Sequence, residues 1–190
     1  IAQAAHEAGA VVTLISGPTV LASPYGVSRI NVESARDMHT AVMNSINGAD
    51  LFISVAAVAD WYVSNASDSK IKKTGTATAP RIEFAPNPDI LAQVAQLADG
   101  PWCVGFAAET ENLHEYAEAK RQRKKIPLLV GNLAQHAMNA DDTELVLFDD
   151  QGQTTLPVLP KIEAARQLIE AIALRLPHYN TAATARKAAQ

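Results

Sequence analysis

Apolar residues in this chain fall into two kinds of stretch: short continuous runs, and segments in which they recur every three or four positions. The continuous runs are β-branched and aromatic. Ala10-Val11-Val12-Thr13-Leu14-Ile15 reads as a strand buried on both faces of a parallel sheet. Ser28 to Val32, Asp50 to Ala56, Trp102 to Ala108 and Pro127 to Asn132 read as further strands, the run from Trp102 as a core strand. Arg81 to Ala85 alternates, as a half-exposed strand would. Glu144 to Phe148 and Thr154 to Leu159 flank Asp149-Asp150-Gln151-Gly152-Gln153, the pattern of a hairpin with a Gly-containing turn.

The periodic segments predict helices. Ile1, Ala4, Ala5 and Ala8 share a face, and Gly9 is placed to end that helix. Ser34 and Asp37 have the spacing of a capping box ahead of Ala35, Met38, Val42 and Ile46, with Gly48 as the stop. Asn87 is expected as an N-cap with Pro88 at the first helical position, and Ile90, Val94 and Leu97 face inward. A charged helix is expected from Asn112 through Lys125. Another starts near Lys161 and carries Ile162, Ala165, Leu168, Ile169, Ile172 and Leu176. Residues 57 to 80 follow neither period and read as a long mobile loop. The Ala-rich tail over 177–190 has no core face and is expected to be poorly ordered.

Strands alternating with helices imply an α/β domain with a mostly parallel sheet and right-handed crossovers, closed at one edge by the antiparallel hairpin. Composition narrows this little. A chain of 190 residues fits one domain, here over 1–176, and 48% hydrophobic with 19% charged residues excludes overall disorder. The net charge of −4 argues against nucleic-acid binding through bulk electrostatics. Cys103 stands alone, which excludes an internal disulfide and a Cys-based zinc site and suits a reducing compartment. No apolar run is long enough to cross a membrane and no signal peptide is visible, so neither nucleic acid nor membrane is an expected partner. The chain opens on what reads as the back end of a helix, so a strand and a phosphate-holding loop are expected before residue 1.

Four groups of residues carry candidate chemistry. The run Ser54-Val55-Ala56-Ala57-Val58-Ala59-Asp60 leads from a strand end, where α/β sheets bind ligands, to an acid. Asp60 suits a base, a sugar or Mg²⁺ as an acceptor; it equally suits a turn or a helix cap. Lys70, Lys72 and Lys73 can close onto a polyphosphate or be a solvated run. Lys120 and Lys124 are one turn apart near a helix C-terminus, where the helix dipole alone accounts for cations and phosphate binding is the sharper reading. Phe106, just before Glu109, can stack a base or belong to the core. Cys103 reads as inert packing. His6, His39, His114, His136 and His178 lack metal-ligand spacing. No dinucleotide fingerprint, Walker A or nucleophile-elbow motif occurs.

Ala56-Ala57-Val58-Ala59-Asp60-Trp61, Lys70-Ile71-Lys72-Lys73, Asn87-Pro88-Asp89-Ile90-Leu91 and Gly105-Phe106-Ala107-Ala108-Glu109-Thr110 occur in order, followed by the helix with Lys120 and Lys124. Together they resemble bacterial phosphopantothenoylcysteine synthetase, usually the C-terminal half of a bifunctional coenzyme A biosynthesis protein. The resemblance runs from Ile1 to about Leu176. It implies a Rossmann-like, three-layer α/β/α fold in a cytoplasmic homodimer. It implies a ligase that uses CTP and Mg²⁺ to join 4′-phosphopantothenate to L-cysteine through an acyl-cytidylate. It also implies a flavin-dependent decarboxylase domain fused upstream. By position it assigns CTP to Ser54, Val55, Ala56, Asp60, Lys70, Pro88, Asp89, Ile90, Leu91, Phe106, Lys120 and Lys124. Lys70 would be the catalytic flap lysine and Ala57 would lie near the phosphopantothenate. The competing readings are an NAD(P)-binding Rossmann-type oxidoreductase and a catalytically inert regulatory or dimerisation module.

Overall fold

A computed structural model describes residues 1–67, 69–72, 79, 81–109, 113–133 and 141–177. The elements along the chain are α1 (Ala2–Glu7), β1 (Thr13–Ser16), β2 (Ser28–Asn31), α2 (Ala35–Ser45) and β3 (Leu51–Ser54). They continue with β4 (Trp61–Val63), β5 (Phe84–Pro86), α3 (Ile90–Ala95), β6 (Trp102–Glu109) and α4 (Leu113–Lys124). The last are β7 (Leu128–Leu133), β8 (Asp142–Thr143), β9 (Val146–Asp149), β10 (Gly152–Thr155), β11 (Leu159–Pro160) and α5 (Lys161–Ala173).

The main sheet has the strand order β10-β9-β7-β6-β3. Strands β3, β6 and β7 run parallel, β9 is antiparallel to β7, and β10 returns antiparallel at the edge. This is a mixed sheet, with the expected parallel strands and terminal antiparallel hairpin. Its turn is held by Gly152 at φ 114, a left-handed value that a side chain would oppose.

Alternation along the strands builds two cores. Val104, Leu128, Val130 and Leu147 face a layer formed by Ala4 and Ala5 of α1 and by Ala165, Leu168 and Ile172 of α5. Cys103, Ala107, Leu129, Val146 and Phe148 face the opposite way, against Val42 of α2, Leu91 and Val94 of α3 and Ala117 of α4. The result is the three-layer α/β/α arrangement. A fully buried aliphatic side chain contributes about 1.5–3 kcal/mol, so β6 and β7, apolar on both faces, dominate the stability. Cys103 is 2% exposed, its Sγ donates to the Pro101 carbonyl at 3.3 Å, and burial pushes its thiol up to about 11. It is packing, as its apolar neighbours imply.

Three expectations need correcting. The run Ala10 to Ile15 does not form a strand throughout: Val11 is exposed, and β1 begins at Thr13. β1 pairs only with β2, in parallel, as a separate two-stranded sheet. With one hydrogen-bonded neighbour it is not the doubly covered central strand that its β-branched run suggests. The strand expected over 50–56 stops at Ser54. Val55, Ala56 and Ala57 are exposed: the β3–β6 ladder ends at Ser54 opposite Gly105, and from there β6 continues on β7 alone. Finally, the stretch 57–80 is not loop throughout. Trp61–Val63 pairs antiparallel with Phe84–Pro86, placing Trp61 opposite Pro86 and Val63 opposite Phe84. Three residues are too few for alternation to be read, and their partner is some twenty residues away. Lys73 and the segment near Gly75 lie outside the described residues, as does the tail from residue 178.

The capping box at Ser34 is present in full. Ser34 Oγ accepts from the Asp37 backbone N–H at 3.1 Å, and the Ser34 N–H donates to Asp37 Oδ2 at 3.0 Å. Hydrogen bonds from Ser34 hold the Asp37 carboxyl below its usual range. Ser34→Ala is expected to destabilise the fold by about 1 kcal/mol. Urea denaturation should show this as a lower midpoint with an unchanged slope.

Candidate active site

In the main sheet the carboxyl ends of β3, β6 and β7 lie at one edge, because the three strands are parallel. The register sets Ser54, the last residue of β3, beside Gly105 of β6. Gly105 is required by close packing: a Cβ there would meet Ile126 Cδ1 at 2.7 Å and Leu91 Cδ2 at 2.8 Å. The absent side chain lets Leu91, 6% exposed, press against β6 and brings the start of α3 to the strand-end edge.

Helix α3 does not begin as the sequence suggests. Its N-cap is Asp89, whose Oδ1 accepts from the Ala92 N–H at 3.1 Å, and the helix proper starts at Ile90. Asn87 and Pro88 precede the cap. Asp89 has a second task. Lys124 Nζ lies 2.9 Å from both of its carboxylate oxygens. Burial would raise the Asp89 carboxyl. The Lys124 ammonium, the Ala92 N–H and the charge of Arg123 outweigh that and hold it below the usual range. The Lys124 side chain is 17% exposed and that of Asp89 is 50% exposed, so the carboxylate keeps an open side.

The basic run Lys120 to Lys125 is divided by the helix. Lys120 Nζ donates to the Phe106 carbonyl at 3.4 Å, and Lys124 reaches Asp89. Both therefore turn toward β6 and α3. Arg121 turns away and is buried. It donates to Glu118 at 3.0 and 2.9 Å and to Asp150 at 2.7 Å, which ties α4 to the turn between β9 and β10. One cluster in sequence is thus a structural arginine flanked by two lysines at the sheet edge. The side chain of Phe106 packs with Val104 against the α1 and α5 layer, while its carbonyl meets Lys120.

The segment from Val55 to Asp60 crosses this edge with little burial of its own; Val58 alone is half-buried. It is fastened from the other side. The Asn87 N–H donates to the Asp60 carbonyl at 2.8 Å, and Asn87 Nδ2 donates to the Ala59 carbonyl at 2.9 Å. Arg36 of α2 lies 4.5 Å above the Tyr62 ring, which joins β4 to the helix layer. Sequence reasoning assigned neither role. Asn87 carries a typical capping signal that Asp89 fulfils instead, and nothing in sequence links Arg36 to Tyr62.

The structure therefore brings Ser54, Asp60, Pro88, Asp89, Lys120 and Lys124 toward one strand-end edge; Ile90 and Leu91 are buried in the core beneath it, and of Phe106 only the carbonyl takes part, its side chain facing the opposite layer. Val55, Ala56 and Ala57 are exposed beside it. Lys70 and Lys72 are exposed and form no ion pair with a described residue, so they are not joined to this cluster. Chemically, the edge offers a half-open carboxylate for hydroxyl groups, two ammonium groups for anions and exposed small residues against which a flat group can lie. Among the described residues no group of three or more His, Cys, Asp or Glu converges to hold a metal. No helix among them is long and apolar enough to cross a membrane.

Comparison with known proteins agrees with the fold and the family resemblance. The chain is 39% identical over 182 residues to the coenzyme A biosynthesis bifunctional protein CoaBC of Vibrio vulnificus strain YJ016, which covers 94% of this chain and 45% of that protein. It is 40% identical over 185 residues to CoaBC of Escherichia coli K12, covering 95% of this chain and 46% of the relative. The chain thus spans less than half the length of these relatives. A crystal structure of the C-terminal domain of CoaBC superposes with a TM-score of 0.76 at 33% identity, covering 92% of this chain and 79% of that one. With residues 1–175 matching the family pattern throughout, the chain belongs to the DNA/pantothenate metabolism flavoprotein C-terminal domain family.

Proposed function

We propose that this chain carries the ligase step of coenzyme A biosynthesis, joining 4′-phosphopantothenate to L-cysteine with CTP as the activating nucleotide. The observation that carries the reading is the strand-end edge itself. Asp89, paired with Lys124, stands with Leu91 and Lys120 alongside β6 at Gly105 and Phe106, level with the end of β3, in a chain that belongs to this family over residues 1–175.

The chemistry fits the residue types. A carboxylate is a poor electrophile, so it must first be given a leaving group. A carboxylate oxygen of phosphopantothenate attacks the α-phosphorus of CTP; the bond to the β-phosphate breaks and pyrophosphate leaves. The cysteine amine then attacks the acyl carbon of the cytidylate, the acyl–oxygen bond breaks, and CMP leaves as the amine loses a proton. Charge builds on the phosphates in the first step and on the acyl oxygen in the second, and fixed cations stabilise both.

In this reading the ribose hydroxyls donate to Asp89 and Asp60, and Ser54, Val55 and Ala56 support the base. Pro88, Ile90 and Leu91 bring the start of α3 against the nucleotide, and Phe106 contributes through its backbone, since its side chain packs toward α1 and α5. Lys120 and Lys124 supply positive charge, Ala57 faces the phosphopantothenate, and Lys70 closes on the triphosphate. Magnesium enters as the MgCTP complex, since this ion is commonly bound through phosphates and water. The active form is a homodimer in the cytoplasm. A flavin-dependent decarboxylase fused upstream supplies the other half of the bifunctional relatives' length. A nicotinamide oxidoreductase is not favoured, since no dinucleotide fingerprint is present.

Pyrophosphate release by the full-length protein tests the reading. It should require CTP and phosphopantothenate together; equal use of all nucleotides, or no release, contradicts it. Lys70→Gln should lower turnover about 10²–10³-fold, the scale of one lost charge-stabilising group. The thermal midpoint should stay within about 3 °C because the side chain is exposed.

Asp89→Asn keeps a competent N-cap and removes the charge facing Lys124. The wild-type carboxyl is depressed in the folded state, so its contribution is present above the unfolded value and lost as pH falls through the folded one. Wild type should therefore exceed the variant in stability at pH 7 by less than about 1 kcal/mol, given the exposed partner. Chemical denaturation as a function of pH should show the gap closing below about pH 4.

A further inference from the structure

The segment that carries Asp60 has few anchors. Between the end of β3 at Ser54 and the start of β4 at Trp61, its residues are small and mostly exposed, so burial fixes little of it. Within it, Val58 N–H donates to the Ala56 carbonyl at 3.1 Å. Val58 packs against the core of α2, α3 and α4, and among the described residues the hydrogen bonds that tie the segment to the rest of the site come from Asn87, through its backbone N–H to Asp60 and its side-chain Nδ2 to Ala59. Two residues further on, Asp89 caps α3 and binds Lys124. Pro88 lies between, with its φ restricted by the ring. A short, stiff path therefore runs from the Ala59 and Asp60 carbonyls through Asn87 and Pro88 to the Asp89–Lys124 pair.

A second observation concerns the other end of the same amide. Asn87 Oδ1 is buried and has no hydrogen-bond partner. Buried acceptors are nearly always paired, and leaving one unpaired works against stability. An amide retained here despite that is explained by the use of its donor, since no other atom of the side chain is engaged. Because Oδ1 is hidden, Asn87 does not itself offer that atom to a ligand.

We infer that Asn87 is a positioning residue for the nucleotide. It holds the Ala59–Asp60 segment at a fixed place relative to Asp89 and Lys124, so that one ligand touches both sides of the edge. The inference rests on the proposed CTP site and adds a residue that acts through Asp60 rather than by contact.

The test uses the full-length protein with Asn87→Ala and Asn87→Asp; the second keeps the shape and loses the Nδ2 donor. Both should raise KM for CTP about tenfold, the scale of one hydrogen bond lost from a held group. Both should leave kcat and the KM for phosphopantothenate within about twofold, and the thermal midpoint within about 2 °C. Amide hydrogen–deuterium exchange should show the backbone N–H of residue 87 losing about tenfold of protection while β6 amides keep theirs. An unchanged KM for CTP overturns the inference. So does a parallel fall of kcat, both KM values and melting temperature, which marks a brace for the whole fold. If the unsubstituted protein turns over no CTP, the nucleotide reading fails. The exchange arm then decides the clamp alone: unaltered protection at residue 87 rejects it.

Discussion

Strand β6 has to be covered on both faces, and that constraint organises the molecule. Val104 and Phe106 point to the layer of α1 and α5; Cys103 and Ala107 point to the layer of α2, α3 and α4. Between them Gly105 leaves room for Leu91 and Ile126. The first consequence is energetic, since the side chains packed on β6 belong to both cores. The second is geometric. Pressing α3 onto β6 carries Asp89 to the strand-end edge, and packing α4 beside it brings Lys120 to the Phe106 carbonyl and Lys124 to Asp89. The site is thus a by-product of how closely two helices approach one strand.

The polar contacts at that edge are individually weak. A partly exposed ion pair such as Asp89–Lys124 is worth about 0–1 kcal/mol, against about 1.5–3 kcal/mol for burying one aliphatic side chain. They do not hold the fold together; they fix orientation. A lysine already turned toward a carboxylate has less side-chain freedom left to lose when an anion arrives, which is the physical content of preorganisation. The mostly exposed segment from Val55 to Asp60 shows the opposite regime: only Val58 packs against the core, and the two bonds from Asn87 fasten the end that carries Asp60.

What was legible in the sequence follows the same division. The buried strands β6 and β7, the hairpin of β9 and β10 and the capped helix α2 were readable, because continuous apolar runs, a Gly-containing turn and a Ser–Asp spacing are local signals. The family motifs assigned Asp89, Leu91, Phe106, Lys120 and Lys124 to one site; the structure pairs Asp89 with Lys124 and sets Lys120 on the Phe106 carbonyl, while the Phe106 side chain turns to the α1 and α5 layer. Other features were not legible. The β4–β5 pairing joins two three-residue strands across a long separation. The shift of the cap from Asn87 to Asp89 turns on which of two good capping residues wins. The division of Lys120, Arg121 and Lys124 depends on the faces of α4 and on Asp150, a residue in a distant turn. Each is set by tertiary contact, and the local sequence is compatible with more than one answer.

The central claim is that a nucleotide lies across the carboxyl ends of β3 and β6, between Asp60 on one side and Asp89 and Lys124 on the other. A crystal structure of the full-length protein with MgCTP tests it most directly. Density for the ribose is expected within hydrogen-bond distance of an Asp60 or Asp89 carboxylate, with the phosphates on the lysine side of the edge. Nucleotide density elsewhere, for instance in the cleft of about 580 Å³ lined by Pro18, Arg29 and Asn31 beyond β1 and β2, with the strand-end edge empty, would contradict it.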